Sequence, residues 1–130
     1  MKSNYKTFNV IFYETEDGKT PVEDFLNSLD VKMRAKLIRL LEILEERGTE
    51  LREPYSKLLD DGIFELRCKF GSNITRTLYF FYKDGNIIIT NGFVKKTQKT
   101  PLKEINLAKE RRTDYINRER RHQNEKSEAI

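Results

Sequence analysis

Residues 63–93 hold three successive β-type runs joined by tight turns, and this stretch limits the fold more than any other. Ile63–Phe70 alternates: Phe64, Leu66, Cys68 and Phe70 fall on one side, Glu65, Arg67 and Lys69 on the other. Ile74–Tyr82 is strongly aromatic, Asp84-Gly85 is a hairpin signal, and Asn86–Phe93 forms the third run. Strands joined by such short connections pair antiparallel, so the three make a meander.

The flanking segments supply the other layer. Tyr5–Tyr13 is β-branched and aromatic and reads as a first strand. Glu14–Lys19 is a polar turn. Thr20-Pro21-Val22-Glu23 reads as a capping box, opening a short helix over Val22–Leu29. Asp30 caps a second helix, Val31–Arg47, in which Met33, Leu37, Leu40, Leu41 and Leu44 recur at helical spacing. Gly48 fits its stop position. Glu50–Gly62 reads as a loop with Pro54 and an Asp61-Gly62 turn. Thr100-Pro101 opens a last helix, with Leu102, Ile105, Ala108 and Arg112 on one stripe.

The expected fold is α+β. An N-terminal strand and a helical hairpin pack on a mainly antiparallel four-stranded sheet, followed by a C-terminal helix. The Glu65/Arg67/Lys69 face is expected to be free for function. A single domain is expected over residues 1–117. Residues 118–130 have almost no apolar content and read as a frayed or disordered basic tail.

Charge is distributed unevenly. Residues 1–62 carry 10 basic and 13 acidic side chains, whereas residues 63–130 carry 15 basic and 8 acidic. Between Ile63 and Leu102 only Glu65 and Asp84 are acidic. Three lysines, Lys95, Lys96 and Lys99, fall within five residues just ahead of the last helix. Clustered cations beside helix N–H groups suit phosphate oxygens, so this half points to nucleic acid.

Other chemistries lack parts. With one His and one Cys, the chain has no internal disulfide and no Cys-based zinc site. Cys68 reads as a buried thiol. A Ser or Cys nucleophile lacks a His partner, no Gly-rich nucleotide loop is present, and the basic site is a poor one for Mg²⁺. No cofactor is expected. No apolar run approaches membrane length and no signal-peptide core is seen, so a cytoplasmic location is expected.

Several motifs occur together: Lys57-Leu58, Gly62-Ile63-Phe64-Glu65-Leu66-Arg67, Arg76-x-Leu78-Tyr79, and Gly92-Phe93-x-Lys95-Lys96-x-x-Lys99-Thr100-Pro101. On these, the chain from about Tyr5 to Tyr115 resembles the RelE/ParE superfamily of bacterial toxins, in particular its HigB-like, phage-associated branch. The resemblance implies the toxin of a type II toxin–antitoxin system that cuts mRNA on the ribosome. It implies two partners: a cognate antitoxin, usually a helix-turn-helix DNA-binding protein in this branch, and ribosome-bound mRNA. The ParE branch instead inhibits DNA gyrase, which is the main alternative. A noncatalytic RNA-binding phage remnant is another.

Metal-free RNA cleavage needs a base for the 2′-hydroxyl, cations for the phosphoryl oxygens, and an acid for the leaving oxygen. Arg67 and Arg76, expected on neighbouring strands, suit the cation role because guanidinium stays protonated and binds two oxygens at once. Lys95 and Lys96 join them as candidate catalytic residues. A lysine crowded by cations becomes a usable base; Glu65 is the competing base, or else an ion-pair partner holding Arg67. Glu65, Lys69, Phe93 and Lys99 are candidate RNA contacts, with Phe93 weighed between base stacking and core. His122 lies in the expected tail, and Tyr115 is expected in the core.

Overall fold

The structure, a computed structural model, describes residues 7–96 and 98–128. Tyr5 and Lys6 of the expected first strand lie outside those residues. The elements are β1 (Asn9–Phe12), α1 (Pro21–Ser28), α2 (Val31–Arg47), β2 (Ser56–Asp60), β3 (Ile63–Phe70), β4 (Asn73–Tyr82), β5 (Asn86–Val94) and α3 (Leu102–Glu128). The α+β class holds, but the sheet is mixed and has five strands in the order β1-β5-β4-β3-β2. β1 runs parallel to β5, and every other neighbouring pair is antiparallel.

The added strand is β2, in the segment read as a loop. Its sequence Ser-Lys-Leu-Leu-Asp lacks alternation, because Leu58 is exposed and Leu59 only half-buried. Asp61 and Gly62 both have positive φ, 47° and 76°, and join β2 to β3 as a tight hairpin turn. That turn signal was present in the sequence; the strand before it was not apolar enough to notice.

Helices cover both faces of the sheet. α1 and α2 pack on the face that carries Phe64, Leu66, Cys68, Tyr79, Ile87 and Ile89. Met33, Leu37, Leu41 and Leu44 of α2 fill that layer, each contributing about 1.5–3 kcal/mol by burial. Asp30 caps α2 by accepting the Met33 N–H at 2.9 Å, and Gly48 ends it at φ 53°. Thr20 makes no side-chain cap on α1, so the expected capping box does not form; Pro21 at the first helical position supplies the start.

α3 covers the opposite face over Ile63, Leu78, Phe80 and Ile88, chiefly through Ala108, Tyr115 and Ile116. Leu102, expected on its buried stripe, is 68% exposed. The helix continues to Glu128, well past Asn117, where the sequence suggested fraying. Polar contacts support this extension: Arg118 pairs with Asp114 at 2.8 Å and Arg121 approaches Glu16 at 3.8 Å. No helix among the described residues is long and apolar enough to cross a membrane.

Two edges of the sheet differ. β1 is tied to α2, since the Phe8 N–H donates to the Glu45 carbonyl and the Val10 N–H to its carboxylate. The β2–β3 ladder runs as far as Leu66, the Arg67 N–H donates to the Tyr55 carbonyl just before β2, and Cys68–Phe70 extend past that as the edge of the sheet. The candidate site lies there.

Candidate functional site

β3 and β4 set the charges. Arg67 and Arg76 are direct cross-strand partners, while Glu65 stands opposite Leu78, one step along the same face. Like charges directly opposite repel. Glu65 relieves this from below: its carboxylate forms a close ion pair with the Arg76 guanidinium and lies 3.6 Å from Arg67 Nη2. Glu65 and Arg76 are both buried, whereas the Arg67 side chain keeps 28% of its surface. One carboxylate thus partly offsets two guanidiniums, and a net positive charge stays at the surface.

A β-bulge brings the third strand into line. The β4–β5 register slips between Leu78 and Tyr79, leaving Thr90 unpaired; its hydroxyl donates to the Leu78 carbonyl at 3.2 Å. Beyond the bulge Asn91 and Phe93 move onto the α3 face, and Phe93 stands opposite Arg76. Asn91 Nδ2 then donates to the Glu104 carboxylate at 3.0 Å and anchors the start of α3.

The loop between β5 and α3 closes over the pair. The Lys95 N–H donates to the Ile74 carbonyl at 2.8 Å, which continues the ladder and places Lys95 beside the arginines. Thr100 Oγ1 accepts from Arg76 Nη1 at 3.2 Å and donates to Glu65 Oε1 at 3.1 Å. Partial desolvation lowers the Lys95 pKa, and the nearby positive charges of Arg76 and then Arg67 lower it further, against a weaker opposing pull from Glu65.

These groups open into a cleft of about 640 Å³ that wraps the free edge of β3. Arg67, Lys69, Arg76 and Lys95 line it from the sheet, and Lys36, Arg39 and Arg47 from α2. No carboxylate is among the lining residues. The Nε atoms of Arg67 and Arg76 are buried without a hydrogen-bond acceptor among the described residues. No cluster of three or more potential metal-ligating side chains occurs among the described residues.

The expected residues therefore separate. Arg67, Arg76, Lys95 and Lys69 share the cleft. Lys96 and Lys99 are exposed on the loop outside its lining. Glu65 is buried beneath the arginines and serves them as counter-ion, with Arg76 rather than Arg67 as its closer partner. The expectation of a free Glu65/Arg67/Lys69 face fails at Glu65 because Thr100 and Arg76 cover it. Phe93 and Tyr115 pack into the layer under α3. Cys68 is 2% exposed, and burial raises its pKa, as fits an inert core thiol.

Sequence reasoning missed the α2 cations and Tyr55 of the cleft lining, and the contact of Thr100 with Glu65. A signal existed for the first: Arg39, Ile43 and Arg47 recur every four residues on one helix face. Thr100 carried a signal only as the residue before Pro101.

A family model described as phage-derived protein Gp49-like (DUF891) matches residues 24–113. The chain belongs to that family. The Gp49-like match takes in α1 from Asp24 onward, α2 and all of β2–β5, so every cleft-lining residue falls within it. It reaches Thr113 and leaves out β1 and the distal half of α3. No curated protein gives a significant match to the chain.

Proposed function

We propose that this Gp49-like protein is the toxin of a type II toxin–antitoxin system, a ribosome-dependent endoribonuclease that cuts mRNA and stops translation. The observation that carries the reading is the convergence of Arg67, Arg76 and Lys95, from separate segments, in one cleft whose lining holds no acid. Phage-derived family membership is compatible with a toxin.

The chemistry follows from what each group can do. The Arg67 guanidinium, half-buried and only loosely paired, meets the phosphoryl oxygens and stabilises the charge that develops on them. Arg76, held by Glu65 and Thr100, adds a fixed positive charge behind it. Lys95 takes the proton from the 2′-hydroxyl; its lowered pKa increases the neutral fraction at cellular pH. The hydroxyl attacks the adjacent phosphorus and the 5′-oxygen leaves, giving a 2′,3′-cyclic phosphate and a 5′-hydroxyl. The leaving oxygen takes its proton from a group outside this set. A lone lysine is a weak base, so alignment of the message by the ribosome supplies much of the rate. A cognate antitoxin holds the protein inactive until it is removed.

The test is induction in a bacterial host followed by mapping of message 5′-ends. The proposal predicts growth arrest with new ends inside translated codons. Arrest with DNA-damage signalling and intact messages would instead indicate gyrase inhibition, and no arrest at all would indicate a noncatalytic protein.

A further inference from the structure

The cleft continues past the catalytic cations onto α2, and the proposed reaction uses nothing in that part. Its floor is apolar, formed by Leu40, Ile43, Leu51 and Pro54. Tyr55 also lines it and is 53% exposed, so it is no part of the core. The backbone fixes its place: the Tyr55 carbonyl accepts the Arg67 N–H at 2.8 Å. That bond puts Tyr55 one strand spacing, ~4.8 Å, from the arginine assigned to the phosphate. Arg47 lies across the floor on α2, and Arg39 on the same helix stands 3.5 and 3.7 Å from the exposed carboxylates of Glu42 and Glu46, loose surface pairs that a phosphate can displace. Lys36 is already committed, donating to the Lys69 carbonyl and standing 5.8 Å from the Phe70 ring.

We propose that Tyr55 is a stacking platform for one unpaired nucleobase beside the scissile linkage, and that Arg39 and Arg47 hold the phosphate on the far side of that base. This rests on the reading that the cleft takes RNA. A cavity of about 640 Å³ has room for a nucleotide. An apolar floor between two sets of cations matches a base flanked by two anionic linkages. The competing occupant is an acidic protein segment. An acidic segment matches the cations too, but its carboxylates leave Tyr55 and the apolar floor uncovered, whereas a nucleotide brings a flat base between its phosphates. The cleft therefore complements the nucleic acid more completely. Phe93, the aromatic candidate in the sequence, is packed under α3, and Tyr55 takes the role in its place.

The test is fluorescence anisotropy of the full chain with a short fluorescein-labelled 2′-O-methyl RNA, which lacks the attacking hydroxyl and is not cut. Tyr55→Ala is expected to weaken binding roughly tenfold, with Tyr55→Phe and Tyr55→Trp within about twofold of wild type. Arg39→Ala/Arg47→Ala is expected to reduce the log–log salt slope by roughly 0.7 per lost phosphate contact. Thermal unfolding of each variant checks the fold. If Arg67→Ala weakens binding but Tyr55→Ala does not, the platform is wrong and the RNA reading survives. If wild type binds this RNA neither free nor held in programmed ribosomes, both fall. Displacement of the RNA by polyglutamate at equal charge, with no effect of Tyr55→Ala, would assign the groove to an acidic protein segment and overturn the proposal.

Discussion

Arg67 and Arg76 stand directly opposite each other on β3 and β4, and both approach the single carboxylate of Glu65. Their burial differs: the Arg67 side chain is 28% exposed and that of Arg76 is 5% exposed. The difference divides their roles. Arg67 is available to a ligand, and Arg76 is part of the fold as well as of the site.

Arg67→Ala should therefore remove activity without much loss of stability. The expected fall in message cleavage is about 100-fold or more, the usual scale for deleting an electrostatic stabiliser of a transition state. Denaturant unfolding should move by less than about 1 kcal/mol, because the pair with Glu65 is long and partly exposed. The two measurements on one preparation separate a site effect from a folding effect.

Glu65→Ala should behave differently. It leaves the buried Arg76 guanidinium without its counter-ion, a change that costs about 3–5 kcal/mol in buried pairs. Urea unfolding checks the size. Arg76→Ala is expected to cost a similar amount by leaving Glu65 uncompensated, so loss of toxicity in that variant alone says little about chemistry.

The reaction should speed up as pH rises towards the lowered Lys95 pKa, because only the neutral amine accepts a proton. Lys95→Arg keeps the charge and has no accessible neutral form. It should lower the cleavage rate and flatten the pH dependence between about pH 6 and 9 in single-turnover assays on ribosome-bound message. A wild-type slope that persists in Lys95→Arg would move the base elsewhere.

Acid should weaken the clamp between Tyr13, just after β1, and α3. Tyr13 donates to Asp114 at 2.6 Å and Arg118 pairs with the same carboxylate. The Tyr13 hydrogen bond, and then Arg118, hold the Asp114 pKa below its ordinary 3.8. A carboxyl with a lowered folded-state pKa contributes stability above its unfolded value and loses it as pH falls through the folded one. Stability should thus drop below about pH 4, and Asp114→Asn should make that drop shallower in pH-dependent thermal melts.

Gly48→Ala should be strongly destabilising. Gly48 has φ 53°, and a Cβ there would lie 2.0 Å from the Phe8 ring. Strain and overpacking together cost roughly 2–4 kcal/mol, readable as a fall in the urea midpoint. Measured against Phe8→Ala alone, the added cost of Gly48→Ala should shrink to the strain part, because the ring it would strike is gone.

The β3–β5 meander and the α2 helix were legible because alternation, a hairpin turn and helical periodicity each have one local cause. The Arg67–Arg76 convergence was legible for the same reason, since adjacent strands of a meander place same-face cations together. β2 was hidden because an edge strand with an exposed Leu58 has no apolar period to detect. The depth of Glu65 was hidden as well. Its burial depends on Thr100, 35 residues away, closing over it. The Tyr55 and α2 side of the cleft exists only because β2 ends before β3 does, which is a fact of register and not of composition.

The most direct measurement is the terminal chemistry of the cut message. RNA from ribosomes incubated with purified protein would be analysed at both fragment ends. Attack by the 2′-hydroxyl, stabilised by Arg67 and Arg76, predicts a 2′,3′-cyclic phosphate upstream and a 5′-hydroxyl downstream, with both absent for Arg67→Ala. Fragments ending in 3′-hydroxyl and 5′-phosphate, or cuts that persist unchanged in Arg67→Ala, would contradict it.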